Sequence, residues 1–185
     1  MYRRLAPLLA VVVVVAGCSG NPTEPPPPTT STPTTTSATI DLRPFYEHPC
    51  TMLTAAQRRR LGFPPRVRER AGESASMCTW SQNDDDNYLL SFNLGSDALA
   101  EAYKKKDERD PDGELLWKSF QPQEIRGLGA VARSFDTIGS HCEVIVDFGG
   151  GQSISVTGSL LTAPDPKLCD RLVTAAGFAV DAARR

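Results

Sequence analysis

The chain has 185 residues, with 20 Lys and Arg against 22 Asp and Glu and a formal charge of −2. That balance argues against a nucleic-acid-binding protein and against a polybasic membrane patch. Arg3 and Arg4 make a positive start, and residues 5–15 follow as an apolar run of about eleven, the length of a signal-peptide core. A membrane-spanning helix needs about twenty apolar residues. The run closes in Val14-Val15-Ala16-Gly17-Cys18, small residues before a cysteine, which is the pattern of a bacterial lipoprotein signal. The expectation is cleavage after residue 17, with the Cys18 sulfur carrying diacylglycerol. Two acyl chains give stable anchoring where one does not, each buried methylene contributing about 0.8 kcal/mol. Loss of Arg3 and Arg4 would bring the mature charge to about −4.

Residues 18–40 form the lipid-bearing cysteine and a Pro/Thr-rich tether, including Pro25-Pro26-Pro27-Pro28 and Thr34-Thr35-Thr36. Almost nothing apolar is present to offset the entropy of ordering. Proline extends such a chain at about 3.1 Å per residue, and the composition is also that of an O-glycosylated stalk. Residues 41–185 are then one domain of ordinary size.

Four cysteines remain after Cys18: Cys50, Cys78, Cys142 and Cys169. An even number in an exported domain reads as two disulfides. Three pairings exist; Cys50–Cys78 with Cys142–Cys169 is favoured, each loop contributing about 3–4 kcal/mol on the chain-entropy account. No C-x-x-C pair supports a zinc site, and no metal or cofactor is expected.

Thr54-Ala55-Ala56-Gln57 fits a capping box opening the first helix, which Gly62 and Pro64 end. Arg66, Arg68 and Arg70 alternate, placing three guanidinium groups on one face if the segment is a strand. Residues 77–81 read as a strand with Cys78 and Trp80 on one side. Asn83-Asp84-Asp85-Asp86-Asn87 is a turn, because Tyr88 breaks the calcium-loop spacing. Tyr88, Leu90, Phe92 and Leu94 then alternate as a half-buried strand. Ser96 is expected to cap a second helix carrying Leu99, Ala102 and Tyr103. Leu115, Leu116, Trp117 and Phe120 have no clear period and read as a short edge segment.

The glycines of Gly127-Leu128-Gly129 mark a bend before a strand reaching Phe135. The clearest hairpin joins residues 142–148 to 152–157 through Gly149-Gly150-Gly151. Cys142, Val144, Val146 and Phe148 should share its core face, with Ser153, Ser155 and Thr157 on a wet face. Asp165-Pro166 opens the last helix, whose stripe is Leu168, Leu172, Ala176, Ala179 and Ala183. A Cys142–Cys169 bridge would staple that helix to the sheet. The expected class is α+β: an antiparallel sheet of about five strands, helices on one face, order α-β-β-α-β-β-β-α, a loose tandem of helix–strand–strand units.

These residues resemble the DUF3558 family of exported actinobacterial proteins, mostly lipoproteins of unknown function. The matching pieces are Pro49-Cys50 before Leu53-Thr54, the Cys78-Thr79-Trp80 unit, the Gly127-Leu128-Gly129 bend, Cys142 in a strand and Cys169 in the last helix. The chain departs from the family at His48, where an aspartate is common, and at Ala130-Val131, where acidic residues are common. The resemblance implies no catalytic residue. His48 and His141 are the only imidazoles, each at or near an expected disulfide cysteine. No G-x-S-x-G or H-E-x-x-H motif is present. The expected function is therefore a non-enzymatic binding or interaction module on the outer face of the cell membrane. It would be a lipid-anchored monomer with an envelope protein or small-ligand partner and no nucleic acid. The alternatives are a carrier or sensor of a small apolar or cell-wall ligand, and a hydrolase without a motif.

Overall fold

The computed structural model describes residues 40–72 and 75–185. The apolar leader, the lipidation candidate Cys18 and the tether through residue 39 lie outside the described residues. Helix α1 (Arg43–Tyr46), a 3-10 turn (Pro49–Met52) and helix α2 (Ala55–Leu61) precede strands β1 (Arg66–Arg70), β2 (Ser76–Ser81) and β3 (Asp86–Leu94). Helix α3 (Ala98–Lys104) leads to β4 (Ser119–Ile125), β5 (Leu128–Ser134), β6 (His141–Gly149) and β7 (Gln152–Leu160), and helix α4 (Leu168–Ala183) ends the fold. None of the described helices is long and apolar enough to cross a membrane.

All seven strands form one antiparallel sheet in the order β1-β2-β3-β7-β6-β5-β4. It consists of two meanders, β1 to β3 and β4 to β7, joined where β7 returns beside β3 over the run Asp86↔Leu160 to Leu94↔Gln152. The α+β class and the antiparallel sheet are as expected, but seven strands replace about five and the element order differs. The expected count leaves out β1, where only the alternation of Arg66, Arg68 and Arg70 points to a strand. It is an edge strand exposed along its whole length, so it carries no alternation of apolar residues. The edge segment expected around Leu115 begins later, at Ser119, and runs through Pro122 to Ile125.

Both free edges resist pairing with another chain. β1 is charged at four of five positions, and β4 contains proline. Ile125 and Leu128 close a two-residue hairpin in which Arg126 (φ 55°) and Gly127 (φ 78°) both take positive φ. Counting back from that closing pair places Pro122 at a position whose missing N–H would face away from β5.

One sheet face is dry. Trp80, Leu90, Phe92, Val144, Val146, Phe148, Ile154 and Val156 are fully buried there, beneath α4, α2 and the segment around Met52 and Leu53. Phe63, just after α2, stacks on Tyr88 with centroids 4.2 Å apart. The capping box of α2 forms as expected: Gln57 N donates to Thr54 Oγ1 at 3.2 Å, and the Gln57 side chain accepts from Thr54 N at 2.8 Å. Gly62 ends the helix at φ 69°. The cap of α3 is Asp97, not Ser96: its carboxylate accepts from Ala100 N at 2.8 Å. Asp165 stands in the turn before α4, accepting from Lys167 N and, through its carbonyl, from Leu168 N.

The favoured cysteine pairing is the one the structure brings to disulfide distance, Cys50 with Cys78 and Cys142 with Cys169. The first ties the 3-10 turn to β2. The second seats the first turn of α4 on the sheet, where Cys142 pairs across from Gly158. A Cβ on Gly158 would lie 2.7 Å from Leu168 Cδ1, so the absent side chain is the notch that admits Leu168, itself fully buried.

The expectation of helices on one face alone is overturned. Helix α3 lies on the opposite face, where Ala102 packs with Val131 and Ile145 and with the partly buried Leu99 and Phe120. Its apolar residues needed a partner, and the odd-numbered residues of β5 and β6 supply one. The face expected to be wet is accordingly covered in part: Ser153 and Ser155 are 1% and 6% exposed, while Thr157 stays half-buried.

Two measurements test this account. Gly158→Val should lower the unfolding free energy by about 2 kcal/mol, because Leu168 has no free space to move into; urea denaturation reads the loss. Asp86 and Asp136 titrate below the usual carboxylate value of 3.8. For Asp86 the cause is hydrogen bonding from Thr162. For Asp136 burial raises the value, but bonds from Ser140 and from the backbone of residues 138–140 outweigh it. Both carboxylates are held charged in the folded state, so their contribution is present above about pH 4 and is lost as pH falls further. Urea midpoints should therefore drop below that pH, and Asp136→Asn should flatten part of the fall.

Candidate functional site

Helix α3 crosses the outer face of the sheet over β5 and β6 and divides it. On the β4 side lies an aromatic groove of about 430 Å³, lined by Tyr103, Lys106, Leu115, Trp117, Phe120 and Pro122. Tyr103 comes from the end of α3, Phe120 and Pro122 from the outward side of β4, and Leu115 and Trp117 from the segment leading into β4. Tyr103 meets Phe120 edge-on with centroids 5.3 Å apart. Tyr103, Leu115 and the neighbouring Phe135 are each about 40% exposed, an unusual concentration of large apolar side chains in water.

The floor of the groove is rigid. Trp117 is 8% exposed, with the Phe135 ring stacked on it at 4.3 Å and the Arg133 guanidinium 3.8 Å from its centroid. Arg133 also donates from Nε to Glu143 Oε2 at 2.7 Å, within an ion pair that is largely buried. His141 extends the stack, 4.3 Å from Phe135. The buried Trp117 Nε1 and His141 Nδ1 have no hydrogen-bond partner within the described residues. Burial holds the His141 pKa below 6.5, against the pull of Glu143 and Asp136, so its neutral form is favoured.

Other clefts flank the helices. Beside α3, on the side away from β4, a polar cleft of about 290 Å³ is lined by Asn93, Glu101, Lys105, Arg133, Glu143 and Ser155, among others. At α2, a more apolar cleft of about 320 Å³ lies between Ala55, Arg58, Arg59, Phe63, Pro64 and Pro65. No group of three or more His, Cys, Asp or Glu residues suited to a metal occurs among the described residues.

The histidines are placed apart from each other and from a nucleophile. His48 Nδ1 meets Glu69 Oε1 at 3.1 Å on the surface. Ser134 donates to the His141 backbone carbonyl, not to the ring, and Ser140, adjacent to His141 in sequence, donates to the Asp136 carboxylate. Arg66, Arg68 and Arg70 do share one side of β1, as their alternation implies, and all three are exposed.

The aromatic groove is what reading the sequence missed. Its residues come from three separated segments, and Leu115 to Phe120 has no period to announce a surface. The legible signal was Trp117 and Phe120 flanking a proline-containing strand, a combination more apolar than an edge needs.

The profile of the DUF3558 family, described as a protein of unknown function, matches residues 13–182. No curated protein and no solved structure matches the chain. The match covers most of the 185 residues and spans every strand and nearly the whole of α4. The chain belongs to the DUF3558 family, whose function is unknown.

Proposed function

We propose that this chain is a lipid-anchored protein of the bacterial cell envelope whose folded domain is a non-enzymatic interaction module, with the aromatic groove beside α3 as its contact surface. Diacylation at Cys18 would hold it to the outer face of the membrane, and the tether would carry the domain away from the bilayer. The Ala16-Gly17-Cys18 pattern and the oxidised cysteine pairs both support an exported, oxidising setting.

The single observation that carries the reading is the exposure of Tyr103, Leu115 and Phe135 around a braced Trp117. Protein interfaces concentrate binding energy in a few aromatic anchors surrounded by polar rims. Here Lys106, Lys118 and Asp107 supply such a rim. Among the described residues, neither imidazole ring is hydrogen-bonded to a serine as acyl transfer would require. A second reading, carriage of a small apolar ligand, draws on the α2 cleft, whose size is at the lower limit for a small-molecule site.

Photo-crosslinking in intact cells tests the reading, with the crosslinker placed at Lys106 on the groove rim. A discrete envelope-protein adduct is expected, and Tyr103→Ala with Leu115→Ser should abolish it without changing the thermal midpoint by more than a few degrees. An adduct indifferent to those two substitutions would refute the groove as the contact surface. A bound lipid or other small molecule released from the purified native protein, and lost on Phe63→Arg, would favour carriage instead. In the same cells Cys18→Ala should move the protein from the membrane to the soluble fraction.

A further inference from the structure

On the other side of α3 the outer face of the sheet has a different chemistry. The cross-strand register puts Arg66, Arg68 and Arg70 on the same side as Ser81, Thr79 and Met77 of β2. That side continues through Asn87, Leu89 and Ser91 of β3 to Ser159, Thr157 and Ser155 of β7. Nine of the eleven residues facing this way on β2, β3 and β7 are Ser, Thr or Asn, with Met77 and Leu89 the exceptions; Ser153 and Ser155 are buried, which leaves seven within reach of a ligand. No carboxylate stands among them. The first carboxylates met on this side lie at the cleft by α3: Glu101, paired with Lys104, and Glu143 of β6, bound to Arg133.

The three arginines make no ion pair among the described residues; Glu69, on the opposite side of β1, is engaged by His48. A chain of net charge −2 therefore presents a uniformly cationic margin against a field of hydroxyls and amides. Four strands spaced about 4.8 Å apart give a platform roughly 15 Å across, ending at the polar cleft beneath α3.

We propose that this platform binds an anionic polysaccharide. The arginine row would take its carboxylate or phosphate groups in forked hydrogen bonds. The Ser, Thr and Asn side chains, which both donate and accept, would match its hydroxyls. Other partners fit the surface less well. A lipid surface needs apolar residues to insert, and two recessed ones are present. Single-stranded nucleic acid needs stacking rings, and this part of the face has none. Protein interfaces are poor in serine. The site is separate from the aromatic groove and does not depend on the reading given to it.

The test uses the oxidised mature chain with Cys18→Ser, so that no acyl chain contributes, and immobilised polygalacturonate as the probe. Binding is expected at physiological salt, with dextran and polyglutamate each at least about tenfold weaker. Arg66→Ser, Arg68→Ser and Arg70→Ser together should cost about tenfold or more, since exposed cations paired with the ligand are removed. The matching lysine triple should retain part of the affinity. Ser91→Leu with Thr157→Leu should weaken binding although every arginine remains. Far-UV circular dichroism checks that each variant is folded. The proposal is overturned by absence of binding, by equal binding to polyglutamate, by preference for vesicles of phosphatidylcholine and phosphatidylglycerol, or by indifference to the arginine triple.

Discussion

The pairing of β3 with β7 is the contact that makes one domain out of two meanders. Each meander is local in sequence, and each carries its own cysteine pair: Cys50–Cys78 in the first and Cys142–Cys169 in the second. Neither bridge crosses between them. The halves are joined by the long β3–β7 ladder and by the core that α4 and the segments before β1 share above it. Both ends of that seam are clipped by polar contacts. At one end Asp86 accepts from Thr162 N at 3.0 Å. At the other, Gln152 Oε1 accepts from Leu42 N at 2.8 Å, and Gly95 N donates to Gly151 O at 2.8 Å. A sheet joined centrally by a non-local pair is slow to nucleate. The local hairpins and the two short covalent loops reduce the entropy that remains to be overcome when the seam closes.

Much of this was legible in the chain because burial on one side of a strand leaves a period of two. Val144, Val146 and Phe148 face Ile154 and Val156 as the alternation implies. The glycines at 149–151 take positive φ as a tight hairpin requires. The capping box at Thr54 and Gln57 forms as written. The failures share a physical origin. Strand β1 is at an edge and exposed on both sides, so no apolar alternation marks it, only that of its arginines. Helix α3 has only seven residues, too few to show which face of a distant sheet its apolar side would meet. Its position decides that Ser153 and Ser155 are buried, and nothing in the spacing of those serines could reveal it. The groove suffered most: its parts come from the end of α3, from the segment before β4 and from β4 itself, and only the fold brings them together.

The two sides of the sheet therefore carry separate tasks. Alternation commits one side of each strand to the core and leaves the other free of any packing requirement. In this fold α4 and α2 cover most of the inner side, and α3, much shorter, covers β5, β6 and part of β7 on the outer side. A short helix on a broad sheet necessarily leaves uncovered surface on both flanks. What stands there is not uniform: one flank collects aromatic rings, the other guanidinium groups, hydroxyls and amides.

That asymmetry is hard to explain by stability alone. Exposed Tyr103, Leu115 and Phe135 bury little and invite aggregation, and three arginines on one edge, with no ion pair among the described residues, repel one another. Edge protection accounts for charge on β1, but lysine or mixed charge would serve equally well and need not face a field free of carboxylates. Arg133 shows how the fold treats a guanidinium it needs for structure: it is largely buried, paired with Glu143 and covered by Trp117. Among the described residues, Arg66, Arg68 and Arg70 are given none of these partners. The contrast between one satisfied arginine under α3 and three unsatisfied ones at the margin is the signature of a surface whose counter-charge comes from another molecule.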